Sequence, residues 1–289
     1  MKFKRTITIL VFAMVVLAAL TTLTGILSKG GPGEFDYKSI RGQTVTIYGK
    51  GIYQHMSADV AIQGIAQDVV TLFIGIPLLL ISLARARKGS LKSRLLLAGT
   101  SGYFLVTFLF YTAMAMYNIL FLAYVSLLAL SFFTFILTAL SFDIDRLPAA
   151  FSRRTPVKFV AGFLLFNTAA IGLLWLSVIV PPLLGAIYPE AVQHYTTLIV
   201  QGFDLGLLLP AACVSAILFL KKRPLGYLLA PTYVIFLAIL MTALTAKIIA
   251  MALNGVNVMP AVFIVPAINL VAILCSFLLL KNLQDFENQ

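Results

Sequence analysis

Three ionisable residues, Asp68, Asp204 and Lys247, interrupt stretches that are otherwise apolar enough to cross a membrane. The apolar run after Asp68, Val69 to Leu83, has 15 residues, and the run after Asp204, Leu205 to Leu220, has 16. At about 1.5 Å per residue these reach roughly 22 and 24 Å, short of a ~30 Å hydrocarbon core. Both helices must therefore extend backward, which draws each Asp roughly one turn into the outer leaflet. Lys247 follows Leu225 by 22 residues and falls at the same boundary. Charged groups at that depth are costly and face a partner or a hydrated cavity. Two carboxylates and an amine on one level outline an outward-facing polar pocket for a cation, a proton or an amine, with Lys247 setting the charge state of the carboxylates. Gln63 and Gln67 share one helix face, Gly64 and Asp68 the adjacent one, and Gln201 lies three residues before Asp204. These glutamines are expected to orient the ligand, while Gly64 and Gly202 are expected to let helices approach closely. The competing reading is a structural salt bridge from Lys247 to one Asp.

The same residues belong to a phrase that occurs twice. Gln54-His55, Gln63-Gly64 and Asp68 are echoed by Gln193-His194, Gln201-Gly202 and Asp204. Each Asp is followed by an apolar run with one proline (Pro77, Pro210) and a basic cluster (Arg85 to Lys88; Lys221 to Arg223). A Leu-Leu-Ala then opens the next helix, at 96–98 and 228–230. The copies hold the only two histidines of the chain. His55 with Asp59, and Glu190 with His194, stand four residues apart; on helices each pair would point one way, and together they would offer two imidazoles and two carboxylates to a divalent metal such as zinc. Loop capping is the plainer use of the same residues.

The background is strongly apolar. The chain has 289 residues, 61% hydrophobic and 11% charged, with a mean hydropathy of +1.02, far from the composition of soluble domains. Eight stretches can span a bilayer as helices, near residues 6–28, 62–84, 95–116, 119–141, 158–182, 199–220, 225–252 and 258–280. They are too long and too uniformly apolar for barrel strands, so the fold class is an all-α integral membrane protein. The first stretch exceeds the core of a signal peptide and reads as an uncleaved anchor. Cys213 and Cys275 lie in different helices and are read as small buried hydrophobes rather than a disulfide.

The net charge of +11 is topological rather than a sign of nucleic-acid binding. With both termini cytoplasmic, 16 of the 21 Lys and Arg fall in cytoplasmic segments, where they also meet anionic lipids. The longest outer loop, 29–58, contains the alternating Gln43 to Tyr48 and a Gly49-Lys50-Gly51 turn, the pattern of a small β-ribbon capping the outer face. The cytoplasmic linker 142–157 divides the chain into four-helix halves, 1–141 and 158–289, which share orientation and are expected to relate as a parallel repeat. Asn167 and Asn269, both in mid-helix, are placed to bond each other or to line a path.

No phosphate-binding loop, H-E-x-x-H, G-x-S-x-G or C-x-x-C occurs, which removes ATP hydrolysis and zincin chemistry at the level of motif. The leading expectation is a transporter or channel-like carrier of an ion or small polar solute in a cell membrane of the bacterial inner-membrane type. A receptor, sensor or assembly factor binding at the outer face, and an intramembrane enzyme acting on a lipid head group, are the alternatives. The topology has a direct test. Single cysteines introduced by Gln43→Cys and Gln284→Cys, in a background lacking Cys213 and Cys275, should react with an impermeant maleimide only from outside and only from the cytoplasm, respectively; the reverse pattern overturns the orientation.

Overall fold

Residues 2–185 and 187–284 are described in the computed structural model of the chain. Eight helices are long and apolar enough to cross a membrane: α1 (Lys4–Leu27), α2 (Ala58–Arg87), α3 (Leu91–Met114), α4 (Phe121–Leu140), α5 (Val157–Leu184), α6 (Ile199–Leu220), α7 (Pro224–Leu253) and α8 (Ala261–Lys281). The protein is an all-α integral membrane protein. The sequence places no helix end more than four residues away; the largest differences are at Ala58 and Leu91, each four residues earlier than hydropathy indicates. In α2 the extra turn, 58–61, carries Asp59, a charged residue that a hydropathy window trims.

Helices α3 and α7 form the central pair. The apolar window of α3 is 67% buried against other protein, that of α5 only 11%, so α5 lines the periphery with its leucines outward. Helices α2, α4 and α7 pack on α3, while α6 and α8 pack on α7; α1 lies on α2 and α4, and α5 on α6. Close approach of α3 to α7 depends on Gly99. A Cβ there would overlap Cγ2 of Ile235 and sit 3.0 Å from the Thr232 carbonyl.

Both α2 and α6 contain one wide, π-helical turn, Thr71–Gly75 and Asp204–Leu208. Ile76 donates to the Thr71 carbonyl and Leu209 to that of Asp204, five residues back in each case. Proline explains both turns. Pro77 and Pro210 have no N–H, and in a regular helix their rings would strike the carbonyls of Phe73 and Gly206 four residues earlier; widening the turn relieves the clash. The register is instructive. Thr71 and Asp204 each open the wide turn and the prolines stand second after it, so the backbone pairs Asp204 with Thr71 rather than with Asp68.

Between α1 and α2 lies the ribbon. Strands β1 (Phe35–Lys38) and β2 (Thr44–Ile47) run antiparallel, Phe35 opposite Ile47 and Lys38 opposite Thr44. Val45 and Ile47 face inward while Thr44 and Thr46 are exposed, as the alternation requires. The hairpin turn falls at Ser39–Gln43, closed by Ser39 N–H to Gln43 O at 2.8 Å. Gly49-Lys50-Gly51, read from sequence as a turn, instead feeds a single 3-10 turn at Gly51–Tyr53. The physical reason is backbone crowding: Gly49 and Gly51 have φ of 68° and 59°, and a Cβ on Gly49 would overlap Gly33 O.

At the opposite, basic end the 142–157 segment is not a free linker. It forms a helical turn at Leu147–Ala150, with Leu147 and Ala150 buried, and is pinned to the end of α8. Ser152 N–H donates to Asn282 O and Gln284 N–H to Ala150 O, both at 2.9 Å.

The α3–α7 contact yields a paired prediction. Gly99→Ala should lower stability by about 1–3 kcal/mol through overpacking. Gly102→Ala on the same helix, where the nearest side-chain atom is 3.6 Å from the added carbon, should be neutral or slightly stabilising. Apparent melting temperatures of the two variants in detergent check this; equal effects would show that the contact is not tight.

Candidate functional site

Asp68 is the most enclosed charged residue of the described structure, 1% exposed. It sits in α2, one turn before the wide turn. A buried carboxylate needs donors for its lone pairs, and two phenols supply them. Tyr53 Oη donates to Oδ2 at 2.6 Å and Tyr111 Oη, from α3, to Oδ1 at 2.8 Å. The Tyr53 bond lies at the short end of the O–H···O range and the Tyr111 bond at its ordinary length. Tyr124 of α4 stacks edge-on against Tyr111, ring centroids 5.3 Å apart, with its own hydroxyl buried and unpartnered. On the fourth side is Gly25 of α1, where any Cβ would overlap Asp68 Oδ2. Four elements thus close on one carboxyl group.

Tyr53 comes from the cap, not from a spanning helix. Burial, and next the charge of Asp68, push its phenol well above the ordinary value, so it remains a donor. Gly64 exists for this tyrosine: a Cβ there would sit 3.2 Å from the Tyr53 ring. Its counterpart does not match. Gly202 is exposed with nothing within 4 Å, so the expected close helix approach is absent at that copy.

Asp204, at the start of the wide turn of α6, is only partly buried. Its Oδ2 accepts from Trp175 Nε1 of α5 at 2.7 Å. Lys247 of α7 is also partly buried, and its ammonium interacts electrostatically with both Asp68 and Asp204 without hydrogen-bonding to either. The charge on α7 thus acts on groups of both α2 and α6 without closing an ion pair with either.

The glutamines divide. Gln67, 3% exposed, donates to Tyr103 Oη at 2.8 Å and Thr107 Oγ1 at 3.1 Å, while its Oε1 has no partner. Gln63 turns back to the Asp59 carbonyl at 3.3 Å, and Gln201 is buried in the first turn of α6, bonded to none of the three ionisable groups. Asn269 accepts from Thr242 at 3.3 Å rather than meeting Asn167, whose buried Oδ1 is unpartnered.

The four-residue metal set does not assemble. The spacing argument needs both members of a pair on one helix, but His55 precedes the start of α2 at Ala58, and the 3-10 turn of Glu190 ends at Val192, before His194. The donors have other partners: His194 Nε2 lies 3.0 Å from the His55 carbonyl, and Asp59 accepts from Gln193 Nε2 at 3.2 and 3.3 Å. Among the described residues no three His, Cys, Asp or Glu side chains come together. These contacts belong to a seam between the ribbon loop and the loop before α6. Arg41 donates to the carbonyls of Tyr195 (2.9 Å) and Thr196 (3.1 Å), and Gln43 to that of Glu190 (3.1 Å). The two copies of Gln-His mark where the cap closes.

Sequence reasoning missed Tyr53, Tyr111 and Trp175 as partners of the carboxylates. Trp175 was the more visible, as the single tryptophan of the chain. No protein-family model, curated protein or solved structure matches the chain.

The phenol pair can be tested by stability. Tyr53→Phe and Tyr111→Phe each remove one donor from Asp68 and should cost about 1–3 kcal/mol. In an Asp68→Asn background the Tyr53→Phe loss should shrink, giving a coupling of roughly 0.5–3 kcal/mol in a double-mutant cycle. Strictly additive losses would mean that the phenol does not support the carboxylate.

Proposed function

We propose that this protein is a carrier for one monovalent cation or proton per cycle, with Asp68 and Asp204 as the binding carboxylates. One observation carries the reading: carboxylates on α2 and α6 both interact at long range with one ammonium, that of Lys247 on α7, and neither is hydrogen-bonded to it. With all three ionised the group bears one uncompensated negative charge. Leaving a charge unpaired in a low-dielectric interior costs several kcal/mol. A proton, an alkali cation or a protonated amine entering from the cap end makes the group neutral. Lys247, being within reach of both carboxylates and bonded to neither, can favour one or the other as the ligand comes and goes.

The cap is the natural gate. It is held closed across the two parts of the chain by a few side-chain bonds, those of Arg41, Gln43 and Gln193, each of modest strength. The wide turns provide weak points in α2 and α6 where the helices can bend, and such turns are frequent at functional positions. In this reading the cap faces outward and both termini the cytoplasm, in accord with the basic residues at the other end, where anionic lipids bind. A receptor that binds the same ligand without moving it is the second reading, favoured by the cavity in the cap described below.

Charge movement separates the two. Proteoliposomes on a solid-supported membrane should give a transient current on a jump in pH, Na⁺, K⁺ or ethylammonium. Asp68→Asn and Asp204→Asn should each reduce it at least tenfold, and Lys247→Gln should shift the ligand concentration at half-maximum. No current with any of the four probes, or full currents in both Asp variants, overturns the carrier reading.

A further inference from the structure

A second polar space lies in the cap, above the carboxylates already described. It is a cavity of about 390 Å³, roofed by the ribbon and floored by the first turns of α2, with the loops before α6 and after α7 as walls. Asp59 to Asp68 is nine residues along α2, roughly 13 Å, so the two spaces are distinct. The volume is at the lower end of small-molecule sites.

Its lining has one sign of charge. Glu34 enters from the ribbon side and Asp59 from α2, and no lysine or arginine lines the space. Two cations of the ribbon loop are directed elsewhere: Arg41 to the Tyr195 and Thr196 carbonyls and over the Tyr188 ring, Lys50 over the Tyr48 ring. The remaining polar lining, from Gln43, Thr44, Thr46, Gln193 and Asn254, offers amide and hydroxyl oxygens. Gln193 is the informative one. Its backbone adopts φ 48°, a conformation that side-chain-bearing residues rarely take, its Nε2 is given to Asp59, and its Oε1 is buried without a donor. The cavity thus presents two carboxylates among neutral polar groups, with Gln193 holding Asp59 in place. Val45, Ala58, Ile62 and Val256 supply apolar wall between them.

We propose that the cap cavity binds a small organic cation carrying N–H donors on a short apolar chain, an alkyl ammonium or guanidinium compound. An ammonium pairs with the Asp59 or Glu34 carboxylate, while methylenes lie on the Val45 and Val256 side. A bare alkali ion uses none of the apolar wall, and an anion meets two carboxylates with no countercharge. The proposal does not rest on translocation, and holds for a receptor as for a carrier.

The experiment uses full-length protein in neutral-lipid nanodiscs and three four-carbon probes that differ in charge: 1,4-diaminobutane, 1,4-butanediol and succinate. Binding is read by isothermal titration and by the rise in melting temperature. The diamine should bind saturably, the diol at least tenfold more weakly, and succinate not at all. Affinity for the diamine should fall at least tenfold in Asp59→Asn and several-fold in Glu34→Gln, an exposed ribbon position where misfolding is not a concern. Asp36→Asn, an exposed ribbon carboxylate outside the lining, should leave it unchanged, which ties the affinity to the cavity rather than to the charge of the ribbon. Equal binding of diol or succinate, no saturable binding of the diamine, or diamine binding that survives both Asp59→Asn and Glu34→Gln each overturns the proposal.

Discussion

A carboxylate enclosed at 1% exposure inside a membrane-spanning helix has no water to solvate it, and every element around Asp68 is arranged to replace that water. The 3-10 turn of the cap brings Tyr53, α3 brings Tyr111, and α1 offers Gly25, where any side chain would collide with the carboxyl oxygen. These bonds add to the apolar contact of Ile52, Tyr53 and Met56 with Ala61, which also holds the cap against α2. The ribbon, which would be marginal as an isolated hairpin, turns Val45 and Ile47 inward and leads into the 3-10 turn whose Tyr53 delivers a hydroxyl to the carboxylate.

The second carboxylate is solved differently. Asp204 has one strong donor, the Trp175 indole, and remains partly exposed. Its position at the opening of the wide turn corresponds to Thr71, whose hydroxyl meets Tyr103 at 2.8 Å and the Gln67 carbonyl at 2.8 Å. Similar backbone, set by Pro77 and Pro210, therefore carries unlike chemistry. One carboxylate is locked in phenols and the other is accessible, with a shared ammonium between their helices. Such inequality is what a site that exchanges one positive charge requires, since two equally locked carboxylates would have no open position for a ligand.

The cap joins distant parts of the chain through side-chain-to-carbonyl bonds rather than through an apolar core. Tyr195 illustrates it: its carbonyl accepts from Arg41, and its hydroxyl lies 3.3 Å from the Ser57 amide at the start of α2. Burial raises the Tyr195 phenol above its ordinary value, so it too stays protonated. Bonds of this kind exchange readily with water, whereas the α3–α7 contact at Gly99 does not. The molecule is rigid at its centre and separable at one end.

Hydropathy alone determined the eight helices, and charge distribution determined which end carries the basic residues, because both depend on composition within one segment. Depth was also legible: runs of 15 and 16 apolar residues forced Asp68 and Asp204 into the spans, since rise per residue is fixed. Proline determined the wide turns, though a sequence shows only that the helix must yield there, not how. Partner choice was decided by tertiary structure. The phenols of Asp68 lie 15 and 43 residues away and the indole of Asp204 29 residues away, and hydrogen bonds across such separations depend on how helices rotate against each other. The repeated Gln-His phrase misled for the same reason. Spacing implied two helical chelating pairs, but the chain around His55 and His194 is not helical, and their polar groups close a seam instead. Local periodicity fixes what a residue can reach along its own helix; only packing decides what it meets on another.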